Sequence, residues 1–211
     1  MDAAGRTGQI RIVHGIAALV AWTGLGLQLG LLVRDYLADG LSAGAALWRF
    51  LGYFTIVTNL FVALVASAAA LAPRHRLASP RVRFAALCAI LLVGIVYSLA
   101  LRHVWDPQGL QAVVDHALHD AAPLLFLLGW LYAPHGMLGW RDLVWALPFP
   151  LAYLAYAVAR GAVEGWYAYY FLDPSHQGWG AFWGTVAAIV AGFLVMAALI
   201  LMLDRWLARR A

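Results

Sequence analysis

Six long apolar runs separated by short polar segments order the chain, at about 12–33, 48–71, 84–101, 110–133, 143–160 and 182–203. A hydrocarbon layer of ~30 Å takes roughly 20 helical residues to cross, so the pattern predicts six transmembrane α-helices. The fourth run breaks the pattern. Its uncharged stretch, Ala121 to Ala133, is too short to span alone and must borrow residues from about Leu110 onward. Those residues include Asp115, His116, His119 and Asp120, two acids and two imidazoles at the start of a greasy segment.

Charge placement favours six spans over five. With six, the N-terminus, the 72–83 loop, the loop around Arg141 and the C-terminus share one side. That side carries Arg6, Arg11, Arg74, Arg76, Arg81, Arg83, Arg141, Arg205, Arg209 and Arg210, ten of the fourteen basic residues, while the other side holds seven of the ten acids. The positive-inside rule then predicts cytoplasmic termini, a multi-pass protein of the plasma (inner) membrane, and an Asp/His cluster that faces out. The first run exceeds a signal-peptide core and is not followed by a convincing cleavage site, so retention is expected.

Composition agrees. The chain is 64% hydrophobic and 11% charged, more apolar surface than a soluble domain of 211 residues has interior to hide. Cys88 is the only cysteine, which excludes an intrachain disulfide. All the basic residues are arginine, and no basic face with interleaved aromatics argues for nucleic acid. Without repeats or long linkers, a single six-span domain over residues 1–211 is expected, with the lipid bilayer as its partner.

Polar residues inside spans are the place to look for function, because lipid tolerates them only when they are paired or line a wet cavity. In "WRFLGYFTIVTNLF" (48–61), Thr55, Thr58 and Asn59 fall three and four apart on one helical face. In the fourth run Asp115 and His119 are four apart, as are His116 and Asp120. Counting from Trp48 and from Leu110 at the helical rise, Thr55 lies roughly 10 Å and His119 roughly 13 Å into the layer, at matching depth.

Level placement of a hydroxyl and an imidazole suggests a nucleophile and its base, since a threonine is inert until a neighbour takes its proton. Asp115, one turn before His119, is positioned to fix the imidazole's tautomer, and Asn59 to donate to a developing oxyanion. The expected reaction is acyl transfer from a lipidic ester to Thr55, then hydrolysis, with no cofactor. The plainer account of a membrane threonine is a bond back to its own helix. Two rivals use the same cluster: His116 and His119, with Asp115, Asp120 and His103 near, as metal ligands, or the acids and imidazoles as a proton relay in a transporter. The aromatic segment "EGWYAYYFLDPSHQGWG" (164–180) reads as an interfacial belt through Trp166, Tyr167 and Trp179, or as a lid over an external cavity through Trp166 and Tyr170.

The pieces "GYFTIVTNLF", "DHALHDAAPLL" and "RGAVEGWYAYYFLD", in that order, resemble the bacterial branch of predicted six-transmembrane proteins related to the eukaryotic androgen-induced gene family. The resemblance covers most of the chain and implies a six-span fold. Its eukaryotic members are membrane hydrolases that cleave fatty acid esters of hydroxy fatty acids with a Thr and a His on different spans. It implies Thr55, after Phe54, as the nucleophile ahead of Thr58. It implies His119 of the pair His116 and His119, before Pro123, as the base. The chain departs from the pattern at Tyr170, where the family has proline, and by one residue between the second His and the Pro.

Overall fold

The computed structural model describes residues 3–210, with side chains from Gly8 onward; Arg6 of the expected basic cluster lies outside the described side chains. Helix is the regular structure throughout the described residues, and no strand forms among them. Six helical segments are long and apolar enough to cross a membrane: Gly8–Ala38, Phe54–Leu71, Pro80–Leu101, Leu110–Tyr132, Trp140–Glu164 and Pro174–Ala208. The chain is a multi-pass, all-helical membrane protein. Helices suit this solvent because their backbone groups bond internally, where lipid offers no partner.

The second span begins later than the apolar run does. Residues 48–50 belong to a separate short helix, α2 (Ala43–Phe50), which follows α1 (Ala3–Ala38) and is capped by the Ser42 hydroxyl accepting from the Ala45 N–H at 3.1 Å. The chain breaks at Leu51–Tyr53 before α3 (Phe54–Leu71). Trp48 and Leu47 are exposed on α2, whereas Ala46 and Phe50 are buried, so the run that reads as one span contains a helix with one apolar face outward. The depth of Thr55 counted from Trp48 is therefore superseded: Thr55 occupies the first turn of its own span.

Contacts gather in two compact units, Met1–Pro134 and His135–Ala211, where the sequence suggests one domain. In the first, α4 (Pro80–Val96) continues into a π-helical turn at Tyr97–Leu101. The fourth span is built from α5 (Leu110–His116), a second π turn (Ala117–Ala121) and α6 (Ala122–Tyr132). Both α1 and α4 pack against α3 and α6, which arranges spans one to four as a ring in chain order.

Small residues allow the close approach. Ala17, Ala21, Ala63, Ala66, Ala86 and Ala89 are completely buried along these seams. Lipid supplies no hydrophobic drive between helices, so short side chains and a few polar bonds hold them. The bonds include Trp22 Nε1 to Ser67 Oγ at 3.2 Å, Arg11 Nε to the Ala70 carbonyl at 2.7 Å and Gln111 Nε2 to Gln28 Oε1 at 2.7 Å. His14, wholly buried, bonds the Ile10 carbonyl through Nδ1 at 2.8 Å and sets its ring edge-on to Phe126.

Gly129 makes room for that imidazole. A Cβ there would stand 2.8 Å from His14 Cε1 and 2.9 Å from Nδ1. We expect Gly129→Ala to cost about 1–3 kcal/mol through overpacking, read as a lower unfolding midpoint in detergent; an unchanged midpoint would show that the ring shifts freely.

The second unit holds a 3₁₀ segment (Trp140–Ala146), α7 (Pro148–Glu164) and α8 (Pro174–Ala208). Phe182 and Val186 of α8 pack with Leu172, Leu154 and Val158. Helix α8 starts eight residues before the apolar run at Phe182, capped by Asp173, and is interrupted at Gly178, whose φ of 79° a side chain would strain. Near the far end of α8, buried Asp204 accepts from His135 Nδ1 and from the Gly136 N–H, each at 3.0 Å.

Candidate active site

Two sequence features shape the fourth span where the ionisable residues sit. Pro123 has no N–H, so the carbonyl of His119 lacks its i+4 donor, and a proline ring would crowd that carbonyl in a regular helix. The backbone widens immediately upstream, with the Ala122 N–H bonding five residues back to Ala117. Opposite this turn stands Gly94, where a Cβ would lie 3.2 Å from the His119 carbonyl oxygen. The glycine lets α4 lie close to the turn that carries His119. Such π turns recur at functional sites because they redirect side chains out of helical phase.

Thr55 and His119, on spans two and four, meet: Thr55 Oγ1 is 3.3 Å from His119 Nε2. The other ring nitrogen, Nδ1, lies 3.0 Å from the Asp115 carbonyl oxygen and 3.2 Å from Asp115 Oδ1. Both neighbours of Nδ1 are acceptors, which assigns the proton to Nδ1 and the lone pair to Nε2. Thr55 then donates to His119. Asp115 is buried, and its second oxygen accepts from the Tyr97 hydroxyl at 2.5 Å.

Asn59 is in place, but not as the oxyanion donor the spacing suggests. Its side-chain amide donates to the Thr55 carbonyl at 2.9 Å and to the Leu118 carbonyl at 3.2 Å, so both N–H groups are spent. It ties the turn bearing Thr55 to the turn bearing His119. Thr58 is fully buried, and its hydroxyl finds no hydrogen-bond partner among the described residues; of the two threonines Thr55 alone reaches an imidazole.

The four ionisable groups of the fourth span do not share one pocket. Adjacent helical residues point ~100° apart, so His116 and Asp120 turn away from the inner pair. His116 is exposed, and its Nδ1 lies 2.7 Å from Asp120 Oδ2. Asp120 also takes Arg102 Nη2 at 2.5 Å, a bond that raises the pKa of Arg102 further. The two imidazoles thus face different carboxylates, and no three His, Cys, Asp or Glu side chains converge as a metal-binding group among the described residues.

Tyr97 and Arg102 were not selected by sequence reasoning. The signal available was a tyrosine and an arginine five apart at the end of a span, which a belt of interfacial residues shows equally well. Trp166 and Tyr170, the residues read as a lid, belong to the second unit. There the Arg160 guanidinium lies 5.0 Å from the Trp166 ring centre, and Tyr170 sets its ring edge-on to Phe171.

Fold and site together define a class: a six-span helical membrane protein in which a hydroxyl, an imidazole and a carboxylate stand in series between two spans. Set against known proteins, the chain matches no family model, no curated protein and no solved structure.

Proposed function

We propose that the protein is a membrane-embedded hydrolase of fatty-acyl esters, with Thr55 as nucleophile and His119 as general base. The observation that carries the reading is the series Thr55 Oγ1, His119 Nε2, His119 Nδ1, Asp115, with separations of 3.3 Å and 3.2 Å for its two side-chain contacts. In acylation, His119 Nε2 takes the Thr55 proton as Oγ1 attacks the ester carbonyl carbon. The tetrahedral oxyanion collapses, and the departing alkoxide receives that proton from Nε2. Acyl-Thr55 and an alcohol result. Water then gives a proton to the same nitrogen and attacks the acyl carbon, and Thr55 Oγ1 leaves with the proton, releasing a fatty acid.

Three features support this assignment. Asp115 balances the imidazolium formed in each transition state, which needs no reorganisation in a site already built around it. Thr55, in the first turn of α3, sits at the positive end of a helix dipole, which favours negative charge developing beside it. The pieces that resemble the androgen-induced gene family point to the same two residues. The arginine asymmetry supports a site in the outer half of the membrane, where lipid esters are at hand without passage through water.

Purified protein in detergent, given long-chain p-nitrophenyl esters, should release p-nitrophenolate in a burst of one equivalent per chain followed by slower turnover. Absence of both burst and turnover across acyl lengths from about eight to eighteen carbons would reject the reading; stoichiometric acylation is the kinetic mark of a covalent route.

A further inference from the structure

Tyr97 touches the base and its carboxylate at once. Its ring lies nearly parallel to the His119 imidazole, with centroids 3.8 Å apart and planes 15° apart, and its hydroxyl donates to Asp115 Oδ2 at 2.5 Å. The side chain is almost fully buried, at 4% exposure, although it stands at the end of its span where the π turn begins. A tyrosine serving only as an interfacial anchor keeps its hydroxyl in the headgroups. This one spends it on a buried carboxylate.

We infer that Tyr97 is a positioning residue for His119, holding the imidazole plane by stacking and the Asp115 carboxylate by hydrogen bonding; the inference rests on the hydrolase reading of the same site. Asp115 has two oxygens and two side-chain duties. With Oδ2 fixed by the phenol, Oδ1 is left facing Nδ1, and the carboxylate cannot rotate to share both oxygens elsewhere. Stacking removes the second freedom, rotation of the imidazole about its bond to Cβ, so that Nε2 stays aimed at Thr55. When His119 takes the threonine proton, the imidazolium forms against the face of an electron-rich ring, an arrangement attractive for a cation.

Outside this inner set, Tyr97 is itself held. The Arg102 guanidinium lies 4.9 Å from the Tyr97 ring centre and is anchored by Asp120 at 2.5 Å and by Ser98 Oγ at 3.4 Å. Asp120 is steadied in turn by His116. The outward-turned pair thereby has a role in the site without lining it: it secures the arginine that covers the tyrosine.

The test uses the whole chain in detergent, with histidine labelled by ¹⁵N and ¹³C and the His119 signals assigned from their loss in His119→Gln. Wild type should show one pyrrole-like and one pyridine-like ring nitrogen, and ring protons shifted upfield by the stacked tyrosine. Tyr97→Phe keeps the ring and removes the hydroxyl. It should retain the upfield shift, mix the two tautomers and slow acylation by the p-nitrophenyl ester by about 10-fold, by analogy with the loss when the hydrogen-bond partner of a metal-bound histidine is removed.

Tyr97→Leu should lose the upfield shift as well and slow acylation by about 100-fold. A His119 spectrum and an acylation rate unchanged in Tyr97→Phe would overturn the inference, and that variant is conservative enough to fold even where the leucine variant does not. If wild type takes no ester while the His119 signals follow the Tyr97 substitutions, the hydrolase reading falls and the positioning stands. If wild type is acylated and neither variant alters signals or rate, the reverse holds.

Discussion

On the proposed reading, replacing Thr55 with alanine should abolish capture of an acyl group, and replacing His119 with alanine should lower it by at least about 10³-fold, since losses of about 10⁴ to 10⁶ follow removal of one member of such a set. Mass spectrometry of wild-type protein trapped with a long-chain p-nitrophenyl ester should find one acyl group on the peptide holding Thr55, and none in Thr55→Ala. Thr55→Ala should remain folded, and His119→Gln gives a second base variant that keeps the side-chain volume. Thr55 is only half-buried, and its carbonyl, which accepts from Asn59, is untouched by the substitution. The double variant should be no worse than Thr55→Ala alone, because the two residues act as a unit and their losses do not add. Full acylation of Thr55→Ala sinks the assignment of the nucleophile, and a His119→Ala chain that reacts at the wild-type rate sinks that of the base.

Asp204→Ala has the largest expected effect on stability. Asp204 is 3% exposed, and its carboxylate holds both the His135 ring and the Gly136 N–H, tying the start of the second unit to the end of α8. Removing the carboxylate leaves a buried imidazole N–H and a backbone N–H without their acceptor, at a cost of about 1–3 kcal/mol each. Unfolding in detergent should show that loss, with Asp204→Asn milder because one acceptor oxygen is kept. A loss below about 1 kcal/mol would mean that water reaches the pair and replaces the carboxylate. Acylation at Thr55 provides a separate readout, since neither Asp204 nor His135 belongs to the proposed catalytic set.

How far the sequence carried depends on the kind of feature. All six spans were legible, five because a long apolar run has few fates besides crossing a membrane and the fourth because charge placement favoured an even number of crossings. Their ends were less so. The start of span two was misplaced from Phe54 to Trp48 because α2 is apolar on its exposed face, and hydropathy does not distinguish a helix beside a membrane from one within it. The start of span six was hidden behind Gly178 and the turn residues around Asp173, which read as loop although they form the first turns of α8.

In the site, the i,i+4 relation of Asp115 and His119 was visible because both lie on one segment. The approach of Thr55, 64 positions earlier in the chain, was suggested by matching depths and by family resemblance, and the depth count itself began from the wrong helix start. Asn59 was legible as a polar residue at the right height but not in its bonds. A side-chain amide presents two donors and one acceptor, and which carbonyls face it is settled by helix packing.

What the sequence determined by itself is therefore one-dimensional: the apolar lengths that require six membrane helices, the proline that denies His119 its helical donor, and the spacing that puts a carboxylate behind an imidazole. Tertiary structure alone decided what crosses between helices. It brought Thr55 to Nε2, split four neighbouring ionisable residues into an inward and an outward pair, and laid Tyr97 flat on His119. The reason is geometric. Lipid exposes every helix to the same apolar solvent, so small residues such as Gly94 and the buried alanines, rather than any polarity pattern, set which faces come close enough for side chains to bond.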